Sequence, residues 1–322
     1  TTCLVHCAGW QISGKASAIL RPSIPNARRN RLRTAKGSGV LRRFASMVAT
    51  EGDNSSHVFD VFIEDTDCFG VVYNANYLKF FDRARQAALG VEKLASMQRS
   101  VPRTSGGSYG GQYMRLVENK EIKLSGSAVL GQHIKILSSF SPSPTDTSLT
   151  DWQQTLACNN TGLVLASSTA TTFLGPASSS PSLQSLLQSA VFECEHTVWA
   201  DDIDARQHLS DVSILKMMER NRNTALGGAS DLARLQAEGF LIVVTHINNL
   251  KIDLGQKVEF GAKIKVRSTA ATRKFQFTFQ QELFLSDSLT PLAQAQVKCL
   301  SINSETKKPT PPPKWVLNGL GL

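Results

Sequence analysis

The sequence lacks the features of several protein classes. No apolar run approaches the ~20 residues that a membrane-spanning helix needs, so no membrane span is expected. The six cysteines are scattered and form neither a CxxC pair nor a His/Cys cluster at metal-ligand spacing. We therefore expect no disulfide framework and no zinc site, and this cysteine usage fits a reducing compartment.

Acidic residues are absent from positions 1–50, which carry nine lysine or arginine residues. An arginine- and serine-rich leader without acids is typical of a transit peptide, and the alternative is a disordered basic tail for an acidic partner. We expect a transit peptide for a plastid, with a mitochondrion as the alternative. The remaining chain has 26 basic and 26 acidic residues, so the net charge of +9 comes from the leader. A neutral body gives no support for nucleic-acid binding.

An internal repeat organises the rest of the chain. Residues 61–89 align without a gap to residues 198–226 at a constant offset of 137, and nine of the 29 positions are identical. In each copy a short strand leads through an acidic turn into a helix, and strand-like stretches follow. Apolar residues of the first helix recur at three- and four-residue steps, as a helix buried on one face requires.

This order predicts an α+β fold, in which each unit packs one long helix against an antiparallel sheet. We expect strands at 59–63, 120–124, 133–140, 152–158 and 164–173 in the first copy. In the second copy we expect them at 196–200, 242–252, 258–266, 275–284 and 293–302. The predicted organisation is a leader at 1–50, unit 1 at 57–175, a linker at 176–190, unit 2 at 191–305 and a Pro-rich tail at 306–322.

The acidic turn of the first copy is the strongest candidate for chemistry. Asp65 and Asp67 stand where a strand ends and a helix begins, and a helix entrance offers unpaired N–H groups and a positive dipole end. Gly70 allows the backbone to turn sharply and to approach a ligand. One carboxylate beside such donors suffices for acyl transfer. The alternative is that both aspartates only cap the helix.

The run EDTDCFGVVYNANYLKFFDRAR, residues 64–85, resembles the 4-hydroxybenzoyl-CoA thioesterase family of hotdog-fold enzymes. Its D-x-D-x-x-G-x-V-Y pattern is followed by N-Y and a charged helix. Residues 201–211 are similar to the form found in acyl-ACP and acyl-CoA thioesterases, although Gln207 replaces a glycine there. The resemblance implies a double hotdog with active sites where the two units meet.

The resemblance also implies roles for individual residues. Asp67 matches the catalytic carboxylate, which acts as a nucleophile or activates a water molecule, and backbone N–H groups near 71–74 would polarise the carbonyl. In the second copy Asp204 matches Asp67, and His208 with Asp202 could form a second acid/base group. The alternative is that the second copy is a structural half that completes the first site. The substrate-binding candidates are Gly70, Val72, Tyr73, Asn74 and Asn76. We expect Asp82 and Glu219, on the two helices, to pair with nearby arginines.

The function implied by the resemblance is hydrolysis of acyl-CoA or acyl-ACP thioesters, with no metal or cofactor. Acyl-CoA or acyl carrier protein would be the partner, and double units would associate into a homo-oligomer. One alternative is a catalytically degenerate double hotdog that binds acyl chains or serves as a subunit of an organelle complex. A hotdog dehydratase would require a histidine paired with an acid, which the turn of the first copy does not offer.

Overall fold

The structure of this chain is a computed structural model. It describes residues 53–99, 113–144, 146, 148–175, 183–187, 192–204, 207–288 and 290–322. The predicted transit peptide and the Gly/Ser-rich stretch at 103–111 lie outside these residues. No helix in the described ranges is long and apolar enough to cross a membrane.

The first unit begins with an edge strand and its long helix. Strand β1 covers Asp53–Asp60, a 3₁₀ turn covers Ile63–Asp65, and helix α1 covers Asn76–Leu89. The predicted strand at 59–63 is therefore displaced, because the chain leaves the sheet to form the acidic turn. A short helix α2 then follows, with four strands: α2 Val91–Arg99, β2 Tyr113–Leu124, β3 His133–Pro142, β4 Leu149–Cys158 and β5 Val164–Gly175.

The second unit repeats this order. Strand β6 covers Phe192–Thr197, helix α3 covers Asp211–Ala225 and helix α4 covers Gly228–Ala237. Four strands and a terminal helix follow: β7 Phe240–Ile252, β8 Lys263–Arg273, β9 Gln276–Leu285, β10 Pro291–Asn303 and α5 Lys314–Gly319. The sequence pattern did not predict α2, α4 or α5.

The ten strands form one antiparallel sheet in the order β1-β3-β4-β5-β2-β7-β10-β9-β8-β6. Each strand of the first unit has its counterpart at the same distance from the centre, so two five-stranded sheets meet at the β2–β7 pair. Ile122 and Ile247 lie opposite each other at this junction. The predicted α+β architecture with two helix-on-sheet units is confirmed.

Each long helix is fixed to its sheet by apolar packing and by a buried polar contact. Tyr77, Phe80 and Phe81 of α1 are at most 2 % exposed. The fully buried Arg85 donates from Nη1 to Oε1 of Gln154 on β4 (3.1 Å), and Gln154 donates from Nε2 to the carbonyl of Phe81 (3.1 Å). The second unit repeats this contact with Arg222, Gln281 and Met218.

The C-terminal residues pack against the second unit. Trp315 of α5 donates from Nε1 to Glu238 (3.0 Å), and the guanidinium of Arg234 lies 4.4 Å from the centre of its indole ring. Val316 and Leu320 are buried. The Pro-rich stretch that precedes α5 leads into this contact and forms neither helix nor strand, apart from one isolated bridge at Pro309.

The acidic turns of the two units share one backbone conformation. The N–H of Asp67 donates to the carbonyl of Val71 (2.9 Å), and Asp204 makes the same bond to His208 (2.8 Å). Gly70 has φ +70° and Gln207, its counterpart, has φ +66°. The left-handed conformation is unfavourable for a residue with a Cβ. The second unit therefore keeps the turn without the glycine, at a cost in stability.

We expect Gln207→Gly to stabilise the protein by about 1 kcal/mol, because glycine adopts the left-handed conformation without the Cβ penalty. Urea unfolding at neutral pH measures the change. The reciprocal variant Gly70→Ala is the control, and it should destabilise by a similar amount. A Gln207→Gly variant that is less stable than wild type would contradict the role assigned to this residue.

Candidate functional site

Asp65 is a structural residue. Its side chain is fully buried, Oδ2 accepts from the N–H of Phe62 (3.1 Å) and Oδ1 accepts from Nζ of Lys79 (2.8 Å). Its carbonyl accepts from the side-chain amide of Asn76 (3.0 Å). Asp65 and Asn76 thus fix the turn against the first residues of α1. The predicted substrate contact of Asn76 has no support in this buried position.

Asp67 differs from Asp65 because its carboxylate is only half-buried. Oδ1 accepts from the N–H of Phe69 (2.8 Å) within the turn. Its charge is also close enough to Tyr77 to help raise the pKa of that phenol, after the larger effect of burial. The Tyr77 hydroxyl accepts from the N–H of Ala128 (3.0 Å).

The backbone donors of the entrance are fewer than the sequence predicted. The N–H of Val72 donates to Ala128 (2.8 Å) and the N–H of Tyr73 donates to Asp65 (3.0 Å), so neither can polarise a substrate. Within the described residues, the N–H groups of Asn74 and Ala75 make no hydrogen bond. Two donors are therefore unpaired at the start of α1, as expected for a helix that has not been capped. Ala75 is fully buried, so only the half-buried Asn74 can offer its N–H to a ligand.

The second unit reaches this entrance through Glu219 of α3. Its Oε2 accepts from the Tyr73 hydroxyl (2.6 Å) and from Nδ2 of Asn74 (3.0 Å), and Nη2 of Arg222 lies 3.8 Å away. Burial and the carboxylate raise the pKa of Tyr73 far above its ordinary value, so the phenol keeps its proton. The sequence predicted only the arginine contact, since the fold alone brings the two helices together.

The second acidic turn holds Asp204 and His208. Oδ1 of Asp204 accepts from the N–H of His208 (3.0 Å) and lies 3.7 Å from Nδ1 of its ring. The histidine is 4 % exposed, and its Nδ1 has no hydrogen bond among the described residues. His208 therefore lies beside Asp204, at a distance longer than a hydrogen bond, whereas its predicted partner Asp202 accepts from the N–H of Trp199 (3.0 Å).

A group of acids and arginines lies at the entrance of α3. Burial raises the pKa of Asp211 to about 6; nearby Asp82 and Asp204 act in the same direction, and Arg115 and Arg85 oppose them. Burial also raises the pKa of Asp82. Asp211 occupies the position that Asn74 has in the first unit. The two entrances therefore differ in charge, because one carries a neutral amide where the other carries a carboxyl group.

We expect Asp211→Asn to stabilise the protein above pH 6 by on the order of 1–2 kcal/mol. The carboxyl binds its proton more tightly in the folded state, so its contribution is most favourable below about pH 4 and is lost as the pH rises through 6. Thermal unfolding of both proteins from pH 4 to pH 8 measures this difference. Curves that stay parallel over the whole range would show that Asp211 does not titrate in this way.

Comparisons with known proteins agree with this architecture. Residues 198–320 match the Thioesterase-like superfamily. The 12:0-ACP thioesterase from Umbellularia californica superposes with a TM-score of 0.56 at 9% identity, over 77% of this chain and 94% of that one. A putative oleoyl thioesterase from Lactobacillus plantarum gives 0.55 at 10% identity, over 79% and 98%. Among curated proteins, no sequence is similar enough to this chain to count as a match.

An acyl-ACP thioesterase from Bacteroides thetaiotaomicron superposes equally well, with a TM-score of 0.53 at 9% identity over 76% of this chain and 97% of that one. Identities this low establish a common fold, and the fold is shared over nearly the full length of each of these structures. The predicted resemblance to hotdog thioesterases is confirmed. The chain thus has a double hotdog fold, and residues 198–320 are similar to the thioesterase-like superfamily.

Proposed function

We propose that this protein hydrolyses acyl thioesters and that Asp67 supplies the catalytic carboxylate. The observation that carries the proposal is the half-buried Asp67 carboxylate at a helix entrance where the N–H of the half-buried Asn74 is unpaired. The thioesterase-like match of the second unit and the double hotdog fold support the same reaction class.

The proposed reaction places the thioester carbonyl oxygen at the N–H group of Asn74. Negative charge develops on this oxygen as the carbonyl carbon is attacked, and donors that already point to it lower the barrier. Asp67 either attacks the carbon directly or takes a proton from the attacking water molecule. The carbon–sulfur bond then breaks and the carrier leaves as a thiolate. If Asp67 attacked, water then hydrolyses the acyl–aspartyl anhydride and restores the carboxylate; if water attacked, the carboxylic acid is released directly.

The substrate class that we propose is an acyl chain carried by acyl carrier protein or by coenzyme A. Two of the three superposed structures are acyl-ACP thioesterases by name, and the third is a putative oleoyl thioesterase. Both carriers present the same thioester on a phosphopantetheine arm. A panel of acyl-ACP and acyl-CoA substrates of different chain lengths separates the two carriers.

A second candidate centre is the pair formed by Asp204 and His208. His208 is buried, and its Nδ1 lies close to Asp204 without a hydrogen bond among the described residues. A histidine beside a carboxylate can act as a general base. However, the negative charges of the acids around Asp211 would destabilise an oxyanion that forms there. We therefore place the main reaction at Asp67.

We expect Asp67→Asn to reduce kcat by at least 10²-fold, because an amide neither attacks the carbonyl nor accepts a proton from water. Asp204→Asn is the matched control at the equivalent position of the second turn, and it should retain most of the activity. Steady-state hydrolysis with the substrate panel measures both. Full activity of Asp67→Asn, with activity lost in Asp204→Asn, would move the centre to the second turn.

The same panel tests the non-enzymatic alternative. A wild-type protein that binds acyl-CoA or acyl-ACP without hydrolysing any chain length would favour an acyl-binding or structural role. Such a result would remove Asp67 from chemistry whatever its position.

We also propose that residues 1–50 direct the protein to an organelle, with a plastid ahead of a mitochondrion. The acid-free basic composition of this leader supports the proposal. Residues 1–50 fused to a fluorescent protein should accumulate in the organelle, and the fusion should stay in the cytosol when the arginines are replaced by glutamate. A wild-type fusion that remains in the cytosol would refute the proposed targeting role of residues 1–50.

A further inference from the structure

The entrance of α1 lacks a side-chain cap from its own unit. The N-cap residue is Ala75, which has no polar side chain and makes no capping hydrogen bond. At the entrance of α3 the N-cap is Ser210, whose Oγ accepts from the N–H of Ser213 (3.1 Å). Serine is among the preferred N-cap residues and alanine is not. The second entrance is thus stabilised locally, and the first requires another source of order.

Glu219 supplies this order from the other unit. One carboxylate oxygen receives both the Tyr73 hydroxyl (2.6 Å) and the Asn74 side-chain amide (3.0 Å), which are the two residues that precede the N-cap. Hydrogen bonds to an ionised acceptor are short and stronger than neutral ones. The backbone of Asn74 is therefore fixed relative to α3.

The equivalent carboxylate does not do the same at the other entrance. Asp82, the counterpart of Glu219, accepts from Nε2 of Gln86 (2.6 Å) and lies 3.6 Å from Arg85, both on its own helix. The counterparts of Tyr73 and Asn74 are Ser210, whose hydroxyl is used by its own helix, and Asp211, which has no donor when ionised. Both donors are lost, and the acid is one methylene shorter.

We propose that Glu219 is a positioning residue for the centre at Asp67: it holds Tyr73 and Asn74 so that the unpaired N–H group of Asn74 points at the reacting carbonyl. This inference rests on the proposed thioesterase function. It makes the chain a single-centre enzyme in which the second unit orders the oxyanion donor of the first. Glu219 itself does not touch the reacting atoms.

The test compares Glu219→Ala with Asp82→Ala, which removes the pseudo-equivalent carboxylate from the other helix. We expect Glu219→Ala to lower kcat by about 10²-fold, the effect of misplacing one oxyanion donor, while KM changes by less than about threefold. Glu219→Gln, which keeps the acceptor oxygen, should recover part of kcat. Asp82→Ala should stay within about threefold of wild type. Steady-state kinetics with the best substrate of the panel measures all four proteins.

A double-variant comparison separates positioning from a general loss of structure. If Glu219 acts through Tyr73, then Tyr73→Phe should reduce kcat in the wild-type background and have little further effect in Glu219→Ala. Additive effects would overturn the proposed route. If Glu219→Ala does not fold, the same comparison is made with Glu219→Gln.

The possible failures are distinguishable. An inactive wild type would defeat the thioesterase proposal and this inference with it. Activity that depends on Asp67 but is unchanged in Glu219→Ala would overturn only the role of Glu219. A loss of activity in Asp82→Ala with none in Glu219→Ala would assign the ordered centre to the opposite entrance.

Discussion

An α-helix cannot pair its first backbone N–H groups internally, and the candidate site depends on how the chain treats this constraint. At the start of α1 the N–H groups of Asn74 and Ala75 make no hydrogen bond among the described residues. The turn before the helix is nevertheless rigid, because Asp65 is buried against Phe62 and Lys79. A helix entrance whose N–H groups are unpaired and held in place has a positive electrostatic potential at a fixed position. Asp67 lies beside it with a carboxylate that no cation neutralises among the described contacts.

The two aspartates of the turn show how neighbouring residues of one type take different roles. Asp65 has the purely structural role that was the alternative to catalysis, since it caps the turn and pairs with Lys79. Asp67 accepts a bond from Phe69 but remains accessible. Burial therefore separates the structural carboxylate from the candidate catalytic carboxylate, and spacing along the sequence could not have done so.

The sequence predicted the parts of the fold that depend on local pattern. The offset of 137 identified the repeat, and the apolar steps along α1 identified the buried face. Most predicted strands overlap the observed ones, but the strand predicted at 258–266 is displaced to Lys263–Arg273. The boundaries near the acidic turn were displaced, because Phe62 is bonded to the Asp65 side chain and not to a neighbouring strand. Helices α2, α4 and α5 were missed because they are short and their stability depends on packing, as the contact of Trp315 with Glu238 and Arg234 illustrates.

The site was predicted as far as it is local. Asp67 and Gly70 were identified by the motif, and the open donor at Asn74 lies within the predicted stretch, whereas Val72 and Tyr73 use their N–H groups in the turn. Glu219 was assigned to an arginine, since its distance of 145 residues from Asn74 hides their contact. One signal was available: the equivalent positions carry Glu219 and Asp82, Tyr73 and Ser210, Asn74 and Asp211. In the folded chain α1 and α3 lie side by side, and these three pairs of residues are then located at the two helix entrances.

Fusion of two units explains why such differences can exist. In a symmetric homodimer both entrances are built from the same residues, so each change at one is repeated at the other. A tandem chain removes this constraint. The entrance of α1 can keep a neutral amide, unpaired N–H groups and a contact with a carboxylate of the other unit. The entrance of α3 has instead a serine cap and an additional acid. The serine cap stabilises the second helix, and the acid at Asp211 makes its entrance less able to hold an oxyanion. The stability of the tandem fold and the chemistry of the site can therefore be adjusted separately, each at its own helix entrance.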